Sequence, residues 1–235
     1  MNKYTLTLIA ALFITGCAAP SNVQKIDRLE AIGENPRIIL MPPDIRYYLL
    51  TAGGSPEPNA EWTTAAQENF ANAALHYAGS IGADLTLINK DNLTEDEIRY
   101  EALHSAVGMS LLTHHFGYLK LPAKGGRFDW SLGPEISTIA ANHNADYALF
   151  VFYRDYQASG GRVAFAVLAA AAGVPVGVGS ESGFASLVDL KSGEIVWFNQ
   201  VLAGSGEMRD ADGAATAVAK LFAGIPTRQG GAEAE

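Results

Sequence analysis

The chain holds five histidines, and only His114 and His115 stand together. Neighbours on a helix point about 100° apart, so this pair cannot easily share one metal ion. His76, His104 and His143 lie on separate stretches without a His-x-x-x-His spacing. Helix-end histidines facing a carboxyl-terminal dipole are the plainer reading. Ser159, Ser180 and Ser182 sit near glycines, yet none completes the Gly-x-Ser-x-Gly elbow of hydrolases. Lys124-Gly125-Gly126-Arg127 lacks the remaining residues of a phosphate loop and reads as a solvated turn. Arg154 and Asp155 on one side, Glu207 and Arg209 on the other, could meet at one edge of a sheet, either as a structural ion pair or as a polar rim for a partner. Trp62, Phe128 and Trp130 lie in or beside loops, where a large aromatic marks a contact surface. No catalytic residue and no metal ligand set is assigned.

The remaining reactive side chain is Cys17, the only cysteine in the chain. It follows a charged start and an apolar run, MNKYTLTLIAALFITG, that is too short to span a bilayer comfortably and reads as an export signal. The segment Ile14-Thr15-Gly16-Cys17 resembles the lipobox of bacterial lipoproteins. That resemblance implies cleavage after residue 16 and lipid on the Cys17 thiol, which accounts for a lone cysteine in an exported, oxidising setting. With Ala18 rather than Asp next in the chain, it also implies the outer membrane, periplasmic face. The covalent lipid is then the only attached group expected, with no cofactor besides. Cleavage removes Lys3 and takes the formal charge from −9 to −10. Such acidity argues against a nucleic-acid partner, which needs clustered Lys and Arg.

These residues need a scaffold. Residues 17–35 read as a tether with a short helix at Val23 to Ile32, residues 36–226 as a single domain, and residues 227–235 as a disordered tail. Arg37 to Met41 reads as a strand closed by Pro42-Pro43, and Tyr47 to Asn59 as a loop or short strand. A helix from Glu61 to Gly79 follows, with Ala66, Phe70, Ala73, Ala74, Tyr77 and Ile81 as its apolar stripe and Thr64 with Gln67 as its capping box. Asp84 to Asn89 would be a second, parallel strand of a β-α-β unit. Thr94 and Glu97 mark a further helix start, with Leu93 placed to staple on Ile98. Gly117 to Gly133 is a long irregular connection ending at Pro134, the first residue of a helix that stops at Asn142 to Asn144. Ala145 to Tyr156 reads as a central strand covered on both faces.

Val163 to Ala172 favours a helix, whereas Val174 to Val178 reads as loop or irregular strand. Phe184 to Ala203 is the strongest local signal: two apolar runs around Lys191-Ser192-Gly193, a hairpin with Gly193 at positive φ and with Trp197 and Phe198 on opposite faces. A last helix at Asp212 to Ala223 would bury Ala215, Val218, Ala219 and Phe222.

The hairpin, reading apolar-Asp-x-x-Ser-Gly-x-apolar-apolar-Trp from Val188 to Trp197, and the strand ADYALFVF resemble a group of exported bacterial proteins. The group includes the amino-terminal domain of TolB, the curli secretion lipoprotein CsgG and the penicillin-binding-protein activator LpoB. The resemblance makes Asp189, Gly193 and Trp197 a structural motif and covers about two thirds of the mature chain in element order. This chain departs from the group at Gly117 to Gly133 and Val174 to Gly179. The fold class expected is α/β (α+β): a mixed sheet of about five strands, a β-hairpin near the carboxyl end, and helices mainly on one face. The function expected is that of a non-enzymatic, lipid-anchored accessory or scaffold protein in envelope assembly, secretion or cell-wall maintenance. It would hold the membrane through its lipid and an envelope protein through Trp62, Phe128 or Trp130, with self-association left open. The alternatives are a subunit of a CsgG-like pore, inserted through RVAFAVLAAAAGVPVGVG, and a periplasmic hydrolase using His114, His115 and Asp155.

Overall fold

The computed structural model describes residues 21–29, 36–228 and 230–231. Cys17 and the signal segment lie outside the described residues, as do residues 30–35 of the expected tether. The strands are β1 (Asn22–Gln24), β2 (Arg37–Leu40), β3 (Asp44–Leu50), β4 (Pro56–Pro58), β5 (Asp84–Leu87), β6 (Tyr147–Ala158), β7 (Gly179–Asp189), β8 (Ile195–Val201), β9 (Pro226–Thr227) and β10 (Gly230–Gly231). The helices are α1 (Ala60–Ser80), α2 (Glu95–Leu111), α3 (Ser137–His143), α4 (Gly160–Ala171) and α5 (Ala211–Leu221).

One mixed sheet of eight strands runs β1-β8-β7-β6-β2-β5, with β3 and β4 added beside the upper half of β6. The α/β class stands, while the expected five strands become eight. The twelve-residue β6 is the axis. Its lower half pairs in parallel with β2 and its upper half with β3. Met41-Pro42-Pro43 joins these two strands almost in line, the prolines marking the break because they have no N–H to give the ladder. On its other side β6 pairs antiparallel with β7 from Tyr147 to Gln157.

The expectation of helices mainly on one face fails, and strand order supplies the reason. From β2 the chain crosses to β5 on one side, then back past β2 to β6 on the other. Crossovers that share the right-handed sense then put α1 on one face and α2 with α3 on the opposite face. Side chains of β6 alternate accordingly. Tyr147, Leu149, Val151 and Tyr153 join the core under α1 and α5, while Ala148 and Phe150 join the core under α2 and α3.

The helix starts follow local chemistry. Thr94 and Glu97 form the capping box predicted from their spacing, with Glu97 Oε2 accepting from the Thr94 amide at 2.8 Å. Ile98, expected to staple against Leu93, is instead exposed. The α1 cap is Asn59, whose side chain accepts from Trp62 N at 3.0 Å, rather than the predicted Thr64. Helix α5 buries Ala214, Ala217, Val218 and Leu221; of the predicted stripe Val218 and Phe222 are buried, while Ala215 and Ala219 are exposed.

Two segments that the sequence did not place in the sheet are strands. Asp44–Leu50 pairs with β6 over seven residues. Asn22–Gln24, placed in a tether helix, instead extends the sheet beside β8. Leu29 is buried in the same core and its amide donates to Thr227 O, so this part of the tether belongs to the domain. Thr227, assigned to the tail, pairs with Gly230.

Candidate interaction surface

The upper end of the sheet carries the feature that the sequence left ambiguous. Between Ser159 and Ser180 there is one charged residue, Arg162, and no acid. Ser159 caps α4 by accepting from Arg162 N at 3.2 Å, and the Arg162 Nε donates back to Gly177 O at 2.9 Å, which fastens the helix to the segment leading into β7. Of the α4 residues only Ala166 is buried. Leu168 is 71% exposed, Val167 64% and Phe165 49%. Val174 and Val178 after the helix, and Leu202 at the end of β8, are exposed at the same end of the sheet. A helix apolar on every side is normally buried, so its exposure here is an apolar surface left open. Beside it lies a shallow groove of about 670 Å³ between apolar walls, Val163, Val178 and Leu202, with Asp155, Gln157 and Glu181 along its polar side.

Under this end, a polar network clamps the link Ala203 to Asp210 onto the sheet. The Tyr153 hydroxyl donates to Glu181 Oε2 at 3.0 Å and lies 2.8 Å from Ser205 Oγ, while Ser205 N donates to Glu181 Oε1 at 2.6 Å. The Tyr47 hydroxyl accepts from Met208 N, and burial raises the pKa of both tyrosines. Arg209 donates to Gln157 and Glu207 and lies 4.4 Å over the Trp62 ring. Burial alone would raise the pKa of Glu207, but hydrogen bonds from Arg209 and Gln157 outweigh it and hold it below the usual carboxylate range.

Asp155 is 6% exposed, and its one hydrogen bond to a side chain, from Gln157 Nε2, is long at 3.4 Å. Burial raises its pKa from 3.8 to about 6; the Gln157 bond opposes this and the Glu181 and Glu207 charges add to it. A carboxyl that binds its proton more tightly when folded makes stability fall as pH rises from about 4 through 6. Asp155→Asn should therefore stabilise the fold by about 1–2 kcal/mol at pH 8, and the gain should vanish below about pH 4. Urea denaturation at both pH values measures it; equal gains at both would show that charge is not the cause.

The predicted site residues fall in separate places. Asp155, Glu207 and Arg209 do meet, but Arg154 points to the other face and pairs with Asp44 at 2.6 Å. Trp62 packs on the α1 face under Arg209. Phe128 and Trp130 pack half-buried on the opposite core, Phe128 against the His115 ring and Trp130 under Lys124. His114 Nδ1 is 2.6 Å from Leu119 O, and His115 stacks edge-on with Phe116 and Phe128, so neither faces Asp155 across the sheet. Burial lowers the pKa of His115. His104, which the sequence gave no role, contacts Ser186 at 2.9 Å with both residues buried, and burial pushes its pKa down to about 3. Closed off from solvent, this Ser-His pair ties α2 to β7. Among the described residues no group of three or more His, Cys, Asp or Glu is placed to hold a metal ion, and no helix is long and apolar enough to cross a membrane.

The motif of the hairpin sits where its residue types require. Asp189 Oδ1 accepts from Lys191 N at 2.7 Å and Ser192 N at 3.1 Å, and Gly193 takes φ +75°. A bulge between Leu187 and Val188 sets Val196 and Trp197 together on the α1 face, with Phe198 on the other. The irregular connection before Pro134 zips onto this turn: Leu132 N donates to Gly193 O and Ile195 N to Trp130 O.

No family model matches the chain, and no curated protein matches its sequence. Solved structures with a similar fold include the PelC dodecamer from Paraburkholderia phytofirmans, at 14% identity over 86% of this chain and 94% of that one, with a TM-score of 0.36. The lipoprotein GNA1162 from Neisseria meningitidis is 13% identical over 72% and 85% of the two chains, with a TM-score of 0.31. The carboxyl-terminal domain of LpoB from Salmonella enterica is 16% identical over 74% and 87%, with a TM-score of 0.27.

Proposed function

We propose that this protein is a lipid-anchored accessory or scaffold subunit of the bacterial envelope, held by Cys17 at the periplasmic face of the outer membrane and acting by protein contact rather than by chemistry. The observation that carries the reading is the division of labour between interior and surface. His104 with Ser186, His143 with Glu97 at 2.7 Å, and Asp155 with Gln157 are engaged within the fold, while the surface is left open at both ends of the sheet, apolar at one and formed at the other by the exposed turn residues Lys191, Ser192 and Glu194. The lipobox-like segment supplies the address, and the acidic body suits a domain that must stand off other acidic surfaces.

Crosslinking in living cells followed by identification of the captured proteins tests it, with Cys17→Ser as the anchoring control. The wild type should capture the same envelope protein reproducibly and fractionate with the membrane, and Cys17→Ser should lose both. A wild-type chain that stays monomeric and captures nothing overturns the scaffold reading.

A further inference from the structure

We infer that α4, with the apolar strand entry after it, lies on the lipid bilayer as a second membrane contact beside the acyl anchor; this rests on the reading of Cys17 as lipidated. Three observations select lipid as the occupant.

The first is direction. Strand β1 runs antiparallel to β8, and Gln200 N donates to Ser21 O, so the chain leaves the sheet at Ser21 toward the end that carries Leu202 and α4. Cys17 is four residues further on, a reach of about 14 Å when extended. Gln200 is level with Phe184 and Phe152 across the sheet, and six more residues of β6 lead to Ala158 at the foot of α4. That rise is about 20 Å, and the sideways step from β1 to β6 is three strand spacings, about 14 Å. The anchor therefore leaves the domain at the end that carries the helix and can cover about two thirds of that rise, whereas an anchor leaving from the opposite end would hold α4 away from the lipid.

The second is charge. In a chain of formal charge −9, the segment from Gly160 to Ser180 has no acid and one arginine. An anionic lipid surface repels the rest of the body and accepts this end. The third is length and exposure. Twelve residues make a helix about 18 Å long, too short to cross about 30 Å of hydrocarbon but suited to lying in the interface. Phe165, Val167 and Leu168 are the outward side chains, and each is at least 49% exposed.

Because lipidation consumes the only native cysteine, an introduced one can be labelled alone. The acylated full chain carrying Leu168→Cys or Val167→Cys, labelled with an environment-sensitive fluorophore, is reconstituted into vesicles of phosphatidylethanolamine and phosphatidylglycerol. Ile98→Cys, on an exposed face of α2 near the other end of the sheet, is the control. The α4 labels should shift to the blue and be quenched about twofold or more by nitroxide-bearing lipids, as an interfacial helix requires, while the Ile98 label should not respond. Labels that keep a water-like emission overturn the inference. So do labels that shift to the blue but ignore the lipid quencher, since α4 would then be covered by a second copy or another protein. Mass spectrometry of the same sample separates the two levels: an unacylated Cys17 removes the anchoring reading and this inference together, whereas an acylated chain with α4 out of the lipid removes this inference alone.

Discussion

Trp197→Ala is expected to destabilise the protein by about 3–5 kcal/mol, a large part of the 5–15 kcal/mol that holds a typical domain together. Trp197 has no exposed surface and lies in the core where α1 and α5 meet the sheet. Removing the indole leaves a cavity walled by residues fixed from three elements, and such a site can collapse only partly. Trp197→Phe should lose far less, about 1 kcal/mol. The indole Nε1 is buried and finds no partner among the described residues, so the tryptophan already carries the penalty of an unmatched donor. Phenylalanine removes that penalty while keeping most of the apolar volume. Urea unfolding followed by circular dichroism gives both values. Similar losses for the two variants would mean that the nitrogen does find a partner in solution.

The second large effect concerns the hairpin turn. Gly193→Ala should lose about 3 kcal/mol or more, because it combines a left-handed residue with a backbone collision. The added Cβ would stand 2.0 Å from the carbonyl oxygen of Gly133, and that oxygen cannot withdraw without undoing the pairing of the Trp130 to Gly133 segment with the turn. Gly126 separates the two contributions. It has φ +78° but nothing within 4 Å of an added Cβ, so Gly126→Ala should show the backbone strain alone, about 1 kcal/mol. If the two midpoints coincide, contact with Gly133 contributes nothing and the connection before Pro134 is not held by the turn.

What the sequence revealed, and what it hid, follows from the range of the interactions. The turn at Gly193, the capping box at Thr94 and the central strand β6 were readable because each is specified within a few neighbouring residues. The three residues of β1 were not: Asn22–Gln24 form a strand only because β8, some 175 residues later, offers a free edge. The strand β3 was only half readable, as a loop or short strand from Tyr47, because its mixed pattern is supported by distant partners such as the ring of Tyr156 stacked 4.8 Å from Tyr48. Periodicity says which side of a helix is buried, yet the side of the sheet depends on strand order, and no local pattern encodes that β2 lies between β5 and β6. The candidate surface was half legible. An apolar stretch with Arg162 as its one charge was visible in the letters, but its exposure came only with the fold, because helix propensity is the same for a buried and an open helix.

The length of β6 bears on how far this protein could act. Its twelve residues span about 36 Å from Tyr147 to Ala158. With α4 against lipid, Asp189 to Glu194 and the segment zipped onto that turn would stand roughly that far out, beyond the headgroups and level with whatever occupies the next layer of the envelope. A rigid strand would then fix the height at which a partner is met, and inserting or deleting a pair of residues in register in β6 and β7 would change that height by about 7 Å without turning the faces of the sheet over.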